Sequence, residues 1–349
     1  MLRVTLRDLQ WRRRRFLIAI VGTSLVFAMT LVLTGLSNGF RVEANQTADA
    51  LGFDTYLVRT GPAGPFIGSP PFPQSEVTTA ARLPGVTAAV PLVYTATTVP
   101  DGDSTRNVNV FGAPAQGPGM PPIASGRAPA GAEEAAVSST LGVEIGDDIE
   151  IGSSAIRIVG IVDDSTALAG QPNVFLTVAG AQQMGFNTQP IVTSIGIRGT
   201  PAAVPDGYRI IDRAGAVADL MRPMTAAVAA ITMIAVLLWV VAALIVGSVI
   251  YLSALERTRD FAVLKAVGVS TPSVLAGLCL QAVIVAVVAA LLGGLLSLVL
   301  APVFPMRVEV PTSAFLLLPL IGVAVGLLAS AAGMRRAVTI DPALAFGGP

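Results

Sequence analysis

Four long stretches of this chain carry no charge at all: Phe16–Phe40, Pro223–Leu255, Ala266–Met306 and Val310–Met334 contain no Asp, Glu, Lys or Arg. A helix needs about 20 mostly apolar residues to cross a bilayer, and buried helices of soluble proteins are seldom this long and this free of charge. The windows therefore predict an α-helical membrane protein with four transmembrane helices, their cores at 16–37, 226–252, 274–301 and 313–334. Composition agrees: charged residues are 13% of the chain, against about 25% in soluble domains. The second window outruns a bilayer at ~1.5 Å per residue, so its helix is expected to project as a stalk. The competing reading of the first window is a cleaved leader with Arg12–Arg15 as its basic region. Its apolar stretch exceeds the ~7–15 residues of a leader, and a retained helix is expected.

Lys and Arg near the membrane set orientation. The segments before helix one, between helices two and three, and after helix four hold 11 basic and 4 acidic residues, whereas 41–222 holds 10 basic and 17 acidic. Both termini are expected in the cytoplasm and 41–222 outside. The resulting plan is a cytoplasmic amphipathic helix at 1–15, helix one at 16–40 and an extracytoplasmic α+β domain at 41–222. Helix two with its stalk follows at 223–255, a cytoplasmic loop at 256–271 and helix three at 272–303. An outer loop at 304–312, helix four at 313–334 and a cytoplasmic tail at 335–349 complete it. In the first segment Leu2, Leu6, Leu9 and Phe16 fall near one helical face with arginines opposite, the pattern of a helix lying on a membrane surface. Gly268 can close a short helix beginning near Glu256, and Thr271–Pro272 reads as N-cap and first residue of helix three.

Within 41–222, strand-like runs alternate with turn signals. Strands are expected at 53–59, 91–99, 105–112, 147–152, 155–162, 173–178, 193–198 and 208–212, with a hairpin turn at Gly152–Ser154 and helices at 75–83, 133–141 and 178–184. The Pro- and Gly-rich Gly61–Pro73 reads as a mobile loop.

Several chemistries are excluded or disfavoured. The chain has no His and one Cys, Cys279, so it has no Ser–His or Cys–His nucleophile pair, no internal disulfide and no Cys/His metal site. The adjacent pairs Glu133–Glu134, Asp147–Asp148 and Asp163–Asp164 point to opposite faces of an extended backbone and read as surface turns. No phosphate-binding G-x-x-x-x-G-K-[ST] loop occurs, so no catalytic residue, metal or cofactor is expected on this chain. Equal basic and acidic counts, 22 each, argue against nucleic acid as a partner. The membrane cores carry no ionisable residue, with Gln281 the most polar side chain near a membrane centre. That is unlike ion-coupled carriers and charged-ring channels.

The most informative stretch lies between helices two and three: Glu256-Arg257-Thr258-Arg259-Asp260-Phe261-Ala262-Val263-Leu264-Lys265-Ala266-Val267-Gly268. It resembles the E-R-x-R-E-[IF]-[AG]-[VIL]-L-[KR]-A-[LV]-G loop of MacB/FtsX-type ABC transporter permeases. The tail Arg335-Arg336-Ala337 through Pro342 to Ala345, the start Leu6-Arg7-Asp8-Leu9, and Leu83-Pro84-Gly85-Val86, Gly126-Arg127 and Leu141–Asp147 resemble further landmarks in the same order. The bare permease layout looks closer to DevC-like members than to MacB, the outer domain being smaller than MacB's, with no fused ATPase.

The resemblance implies a permease subunit that is not itself an enzyme, a homodimer in the plasma membrane in contact with lipid. A cytoplasmic ABC ATPase subunit would bind the ATP, and an extracytoplasmic adaptor is a further implied partner. Glu256, Arg257, Arg259, Asp260, Phe261, Leu264, Lys265 and Gly268 become the ATPase-coupling residues. Phe261, Leu264 and Val267 share a helical face that can enter a partner's groove, while the basic residues meet its rim. ATP-driven closure inside would move the outer domain, a mechanotransmission serving export or extraction of a substrate. The alternative is a non-transporting, FtsX-like transmitter that regulates an extracytoplasmic partner. Ala243-x-x-x-Gly247 and Gly322-x-x-x-Gly326 offer small-residue faces for close helix packing.

Overall fold

A computed structural model describes residues 13–256, 263, 270–304 and 306–338. The chain divides into two compact units, 39–226 and the remainder.

In the helical unit lie the first part of α1 (Arg13–Leu51), α5 (Thr225–Glu256), α6 (Thr271–Leu300) and α7 (Thr312–Val338). Among the described residues three helical runs are long and apolar enough to cross a membrane: Phe16–Leu51, Arg213–Ser253 and Ala276–Val303. Thr312–Ala324 of α7 is a shorter apolar helical stretch. Helix one was expected to stop at 40; it runs on to Leu51 because Ala44, Ala48 and Leu51 are buried in the core of the other unit. Helix two likewise begins earlier than 223. A helix α4 (Arg213–Met221) and a 3-10 turn, Arg222–Met224, lead into α5. The N-cap of α6 is Ser270 rather than Thr271, and Pro272 sits in the first turn, where its missing N–H costs nothing.

Packing inside the helical unit follows small residues. Phe27 and Leu31 of α1 pack with Ala242 of α5 and with Ala289 and Ala290 of α6. A Cβ on Gly293 would lie 2.8 Å from the Phe27 Cβ and 2.9 Å from the Ser24 carbonyl oxygen, so α6 meets α1 backbone to side chain there. Of the expected small-residue faces, Gly322 does face Ala286 and Phe27. On α5 the buried stripe is instead Ala242, Val246 and Ile250, one residue off the Ala243–Gly247 pair. Some hydroxyls within the helices bond back to their own backbone, as Thr30 to the Val26 carbonyl at 2.8 Å and Ser297 to the Gly294 carbonyl at 2.7 Å, which removes for them the penalty of an unpaired polar group in an apolar setting. Asn38 donates to the Glu309 carbonyl (2.9 Å), and Glu309 N–H donates to Gly35 (3.0 Å), tying α1 to the loop before α7.

The other unit is built on a mixed sheet. Its strands are β1 (Thr55–Arg59), β3 (Val86–Asp101), β4 (Ser104–Ala113), β5 (Ser125–Gly126), β6 (Glu134–Ser138), β7 (Asp148–Ile151), β8 (Ser154–Val162), β9 (Thr166–Ala167), β10 (Gln171–Thr177), β12 (Ser194–Gly199) and β13 (Tyr208–Asp212). They run in the order β13-β1-β12-β3-β4-β10-β6-β8-β5, with β7 on β8 and β9 on β10. A separate pair joins β2 (Phe72–Pro73) to β11 (Ile191–Val192). The β10–β4 and β6–β8 pairings are parallel. Both faces of the sheet are buried. Leu57, Val93, Val110, Val174 and Ile195 face α2 (Glu76–Ala81) and α3 (Val178–Phe186), while Tyr56, Leu92, Phe111 and Phe175 face the C-terminal end of α1 and α4. Two-sided burial explains why these strands read as near-continuous apolar runs.

All eight expected strands form. The hairpin at Gly152 forms too, with Ile151 opposite Ser154. The helix expected at 133–141 does not: Glu134–Ser138 is β6 and only Ser139–Leu141 turns, as a 3-10 helix. Ala135, Ala136 and Val137 are fully buried between β10 and β8, and that pairing overrides alanine's helix preference.

Candidate functional site

Of the expected coupling residues, Glu256 is the last residue of α5 and is exposed. Arg257, Arg259, Asp260, Phe261, Leu264, Lys265 and Gly268 lie outside the described residues, as do 1–12 and the tail from 339. Val263 is 52% exposed. The segment joins the C-terminus of α5 to the N-terminus of α6, so the sequence motif sits between two helix ends.

A heavily bonded, buried site in the sheet unit was not anticipated. Asp219, on α4, has a side chain only 3% exposed. One carboxylate oxygen accepts from Gly64 N–H at 3.1 Å; the other accepts from Phe66 N–H at 2.8 Å and Ile67 N–H at 2.9 Å. Arg222, one turn later, pairs with the same carboxylate at 2.9 Å and donates to the Pro62 carbonyl at 3.1 Å and to the Ile67 carbonyl. Arg209 donates to the Ala63 carbonyl at 2.6 Å. Ser69 closes the segment on the Thr193 carbonyl at 2.6 Å.

Gly61–Pro73 is thus not the mobile loop that its composition suggests. Asp219 accepts the Gly64, Phe66 and Ile67 N–H groups and Arg222 donates to the Pro62 and Ile67 carbonyls, so the pair satisfies donors and acceptors of this backbone together. Gly64 is required by close approach, since any Cβ there would overlap the Asp219 carboxylate. The segment delivers Phe66, 2% exposed, into an aromatic cluster with edge contacts to Tyr56 (5.5 Å), Tyr94 (5.8 Å) and Phe111 (5.8 Å). The only sequence signal for this clasp was an Asp-x-x-Arg spacing just before an apolar helix.

A polar chain crosses the same core. Tyr94 donates to the Asn109 Oδ1 (3.0 Å), Asn109 to the Asn173 Oδ1 (3.2 Å), and Asn173 to the Thr47 Oγ1 of α1 (3.3 Å) and the Ser165 Oγ (3.1 Å). Burial pushes the Tyr94 phenol well above its usual value, so it serves as a neutral donor. Beside Thr47 a cavity of about 360 Å³ opens between α1, Pro121–Ala124 and Val162–Thr166. The adjacent carboxylate pairs are surface features. Asp147 accepts from Glu144 N–H at 2.9 Å within a turn. Glu134 is bound by Arg127, whose hydrogen bond, followed by the Ala130 and Gly131 N–H groups, holds its carboxyl down at about 2. Among the described residues no three Asp, Glu or Cys side chains converge as a metal site would need.

Comparison with known proteins gives two matching family regions. A MacB-like periplasmic core domain matches residues 16–208, and an FtsX-like permease C-terminal region matches residues 232–342. An uncharacterized ABC transporter permease of Mycobacterium tuberculosis is 63% identical over 349 residues, covering all of both chains. A second from that organism is 57% identical over the same full length. Among solved structures, the extracellular domain of the noncanonic ABC-type transporter YknZ from Gram-positive bacteria aligns at 11% identity and a TM-score of 0.34. It covers 46% of this chain and 100% of its own. The periplasmic region of MacB from Actinobacillus actinomycetemcomitans aligns at 9% identity and 0.34, covering 47% and 90%.

Proposed function

Because the chain belongs to the MacB/FtsX-type family of ABC transporter permeases, we propose that it couples ATP hydrolysis on a separate cytoplasmic ATPase subunit to movement of its sheet domain. In this reading α7 is the fourth span and both termini are cytoplasmic. The sheet domain lies outside the plasma membrane, and two copies of the permease pair with two ATPase subunits to export or extract a substrate. ATP is bound by the partner, and an extracytoplasmic adaptor is a further partner that the reading admits.

The observation that carries it is the position of the motif from Glu256 to Gly268. It falls inside the FtsX-like region and follows directly on α5, a helix that α4 and its Asp219–Arg222 clasp precede. Force applied at the motif has a helical path toward the clasp, and α1 offers a second continuous helix that serves both units. The Lys/Arg asymmetry supports the orientation.

The test is copurification. Phe261 and Leu264 are assigned as apolar anchors in the ATPase, with Glu256, Arg257, Arg259, Asp260 and Lys265 at the rim and Gly268 ending the short helix. Losing one buried anchor costs about 2 kcal/mol, roughly a thirtyfold loss of affinity. The double variant Phe261→Ala/Leu264→Ala should release the ATPase from the detergent-purified complex while remaining monodisperse. Charge reversal at Arg257 and Arg259 should have a smaller effect that high salt erases. Undiminished copurification of the apolar double variant would reject the coupling assignment.

A further inference from the structure

On the sheet unit, a second cavity of about 290 Å³ lies between the far end of the β3–β4 hairpin and β7. Its floor is apolar, formed by Val99, Leu141, Val143 and Ile149, and its rim carries Asp101, Asp148 and Glu150. Among the described residues that line it the one cation is Arg106, whose guanidinium donates to the Thr140 carbonyl at 2.9 Å; Arg157 of β8 stands opposite Asp148 in the ladder. Four of the floor and wall residues already pack on the main core, which makes the groove a fixed feature of the fold. Strand β7 hydrogen-bonds to β8 and lies close to β3, where the N–H of the following Gly152 donates to the Thr98 carbonyl at 2.8 Å. Asp148, Ile149 and Glu150 of β7 line the groove. In strand order β7 and β8 stand at the end of the sheet opposite β13, which leads into α4.

We propose that this groove docks an extended basic segment of an extracytoplasmic partner protein, one large apolar side chain on the floor and a Lys or Arg against the three carboxylates. The volume sits at the lower limit of small-molecule pockets and suits one or two side chains. An extended chain laid along an edge strand presents alternate side chains to one face, which matches a groove with an apolar floor and a charged rim. Charge complementarity extends beyond the rim, because residues 41–222 hold 17 acidic against 10 basic residues. The inference rests on the outward placement of this unit but not on ATPase coupling.

A fluorescein-labelled peptide repeating Leu-Ser-Lys-Ser, whose leucines and lysines share one face when extended, is the probe. It is titrated by fluorescence anisotropy against the full chain in zwitterionic lipid nanodiscs, with empty nanodiscs as the blank. Both faces of a nanodisc are accessible, so the result does not depend on membrane orientation. The lysine peptide should bind, and its leucine–glutamate counterpart should not. Asp101→Asn/Asp148→Asn/Glu150→Gln changes only exposed side chains and should weaken binding about tenfold, with the difference shrinking as salt rises from about 0.05 to about 0.5 M. Val143→Trp, which fills the groove without touching a carboxylate, should also weaken binding, while Asp206→Asn elsewhere on the unit should not. Absence of binding above the blank, equal binding of the glutamate peptide, or affinity unchanged in both groove variants would overturn the proposal.

Discussion

Replacing Asp219 by alanine isolates the clasp that holds Gly61–Pro73. The carboxylate accepts three backbone N–H bonds and one guanidinium while almost wholly buried. Hydrogen bonds to a charged group contribute ~1.5–3 kcal/mol each, and removing one partner of a buried charged pair costs ~3–5 kcal/mol in all. The segment is near the surface and can recruit water once freed, so the lower end, about 3 kcal/mol, is the expected cost. In hydrogen exchange that corresponds to a roughly 150-fold fall in protection for the amides of Gly64, Phe66 and Ile67. The central β10 amides should keep theirs. Gly64→Ala reaches the same interaction from the other side, since its Cβ would displace the carboxylate. The two changes should therefore be strongly non-additive, the double variant exchanging little faster than Asp219→Ala. Exchange mass spectrometry on the full chain in nanodiscs reads all three variants. Protection of 64–67 within a factor of about three of wild type in Asp219→Ala, or additive effects in the double variant, would refute the clasp as the element that orders this segment.

Three further outcomes are expected. In a Cys279→Ala background, cysteines at Ser104 and Thr258 should react with an impermeant thiol reagent from opposite sides of intact cells; labelling of both from outside would sink the proposed orientation. Gly293→Ala should lower the thermal midpoint of the purified chain, because its Cβ overlaps Phe27 and the Ser24 carbonyl. Overpacking of this kind costs ~1–3 kcal/mol. Gly294→Ala, whose nearest neighbour is the Phe315 ring at 3.6 Å, should be close to neutral, and equal effects at the two sites would contradict the packing. Arg127 holds the Glu134 carboxyl at about 2 in the folded chain, below the ~4.3 of a free glutamate. The stabilisation is therefore complete above the unfolded value and lost as pH falls from there toward the folded one. The melting gap between wild type and Glu134→Gln should be constant above about pH 5 and close on acidification, and a gap independent of pH would remove the ion pair as its cause.

Much of the fold was legible because its signals are local. Charge-free length marks α1, α5 and α6, since a bilayer rejects charge over a fixed distance. Strand-like apolar runs bounded by turn signals mark the eight strands. The failures share one cause. Glu134–Ser138 has helix-prone alanines but sits between two strands far away in sequence. Gly61–Pro73 has loop composition but is bonded from Arg209, Asp219 and Arg222. Helix one passes the end of its apolar window because Ala44, Ala48 and Leu51 meet the core of the sheet unit.

Sequence alone determined that this chain is a membrane protein with a large inserted α+β domain, and the ordered motif from Glu256 to Gly268 was enough to indicate its permease family. Those conclusions depend on quantities summed along the chain: apolar length, basic-residue asymmetry and motif order. Tertiary structure decided that Gly293 lies where α6 meets α1, that Asp219 and Arg222 order a proline-rich segment, and that three carboxylates and an apolar floor share one groove. Each of these depends on residues tens to more than a hundred positions apart. Chain closure over such separations depends on the packing of the whole unit and leaves no periodicity or spacing in the local sequence.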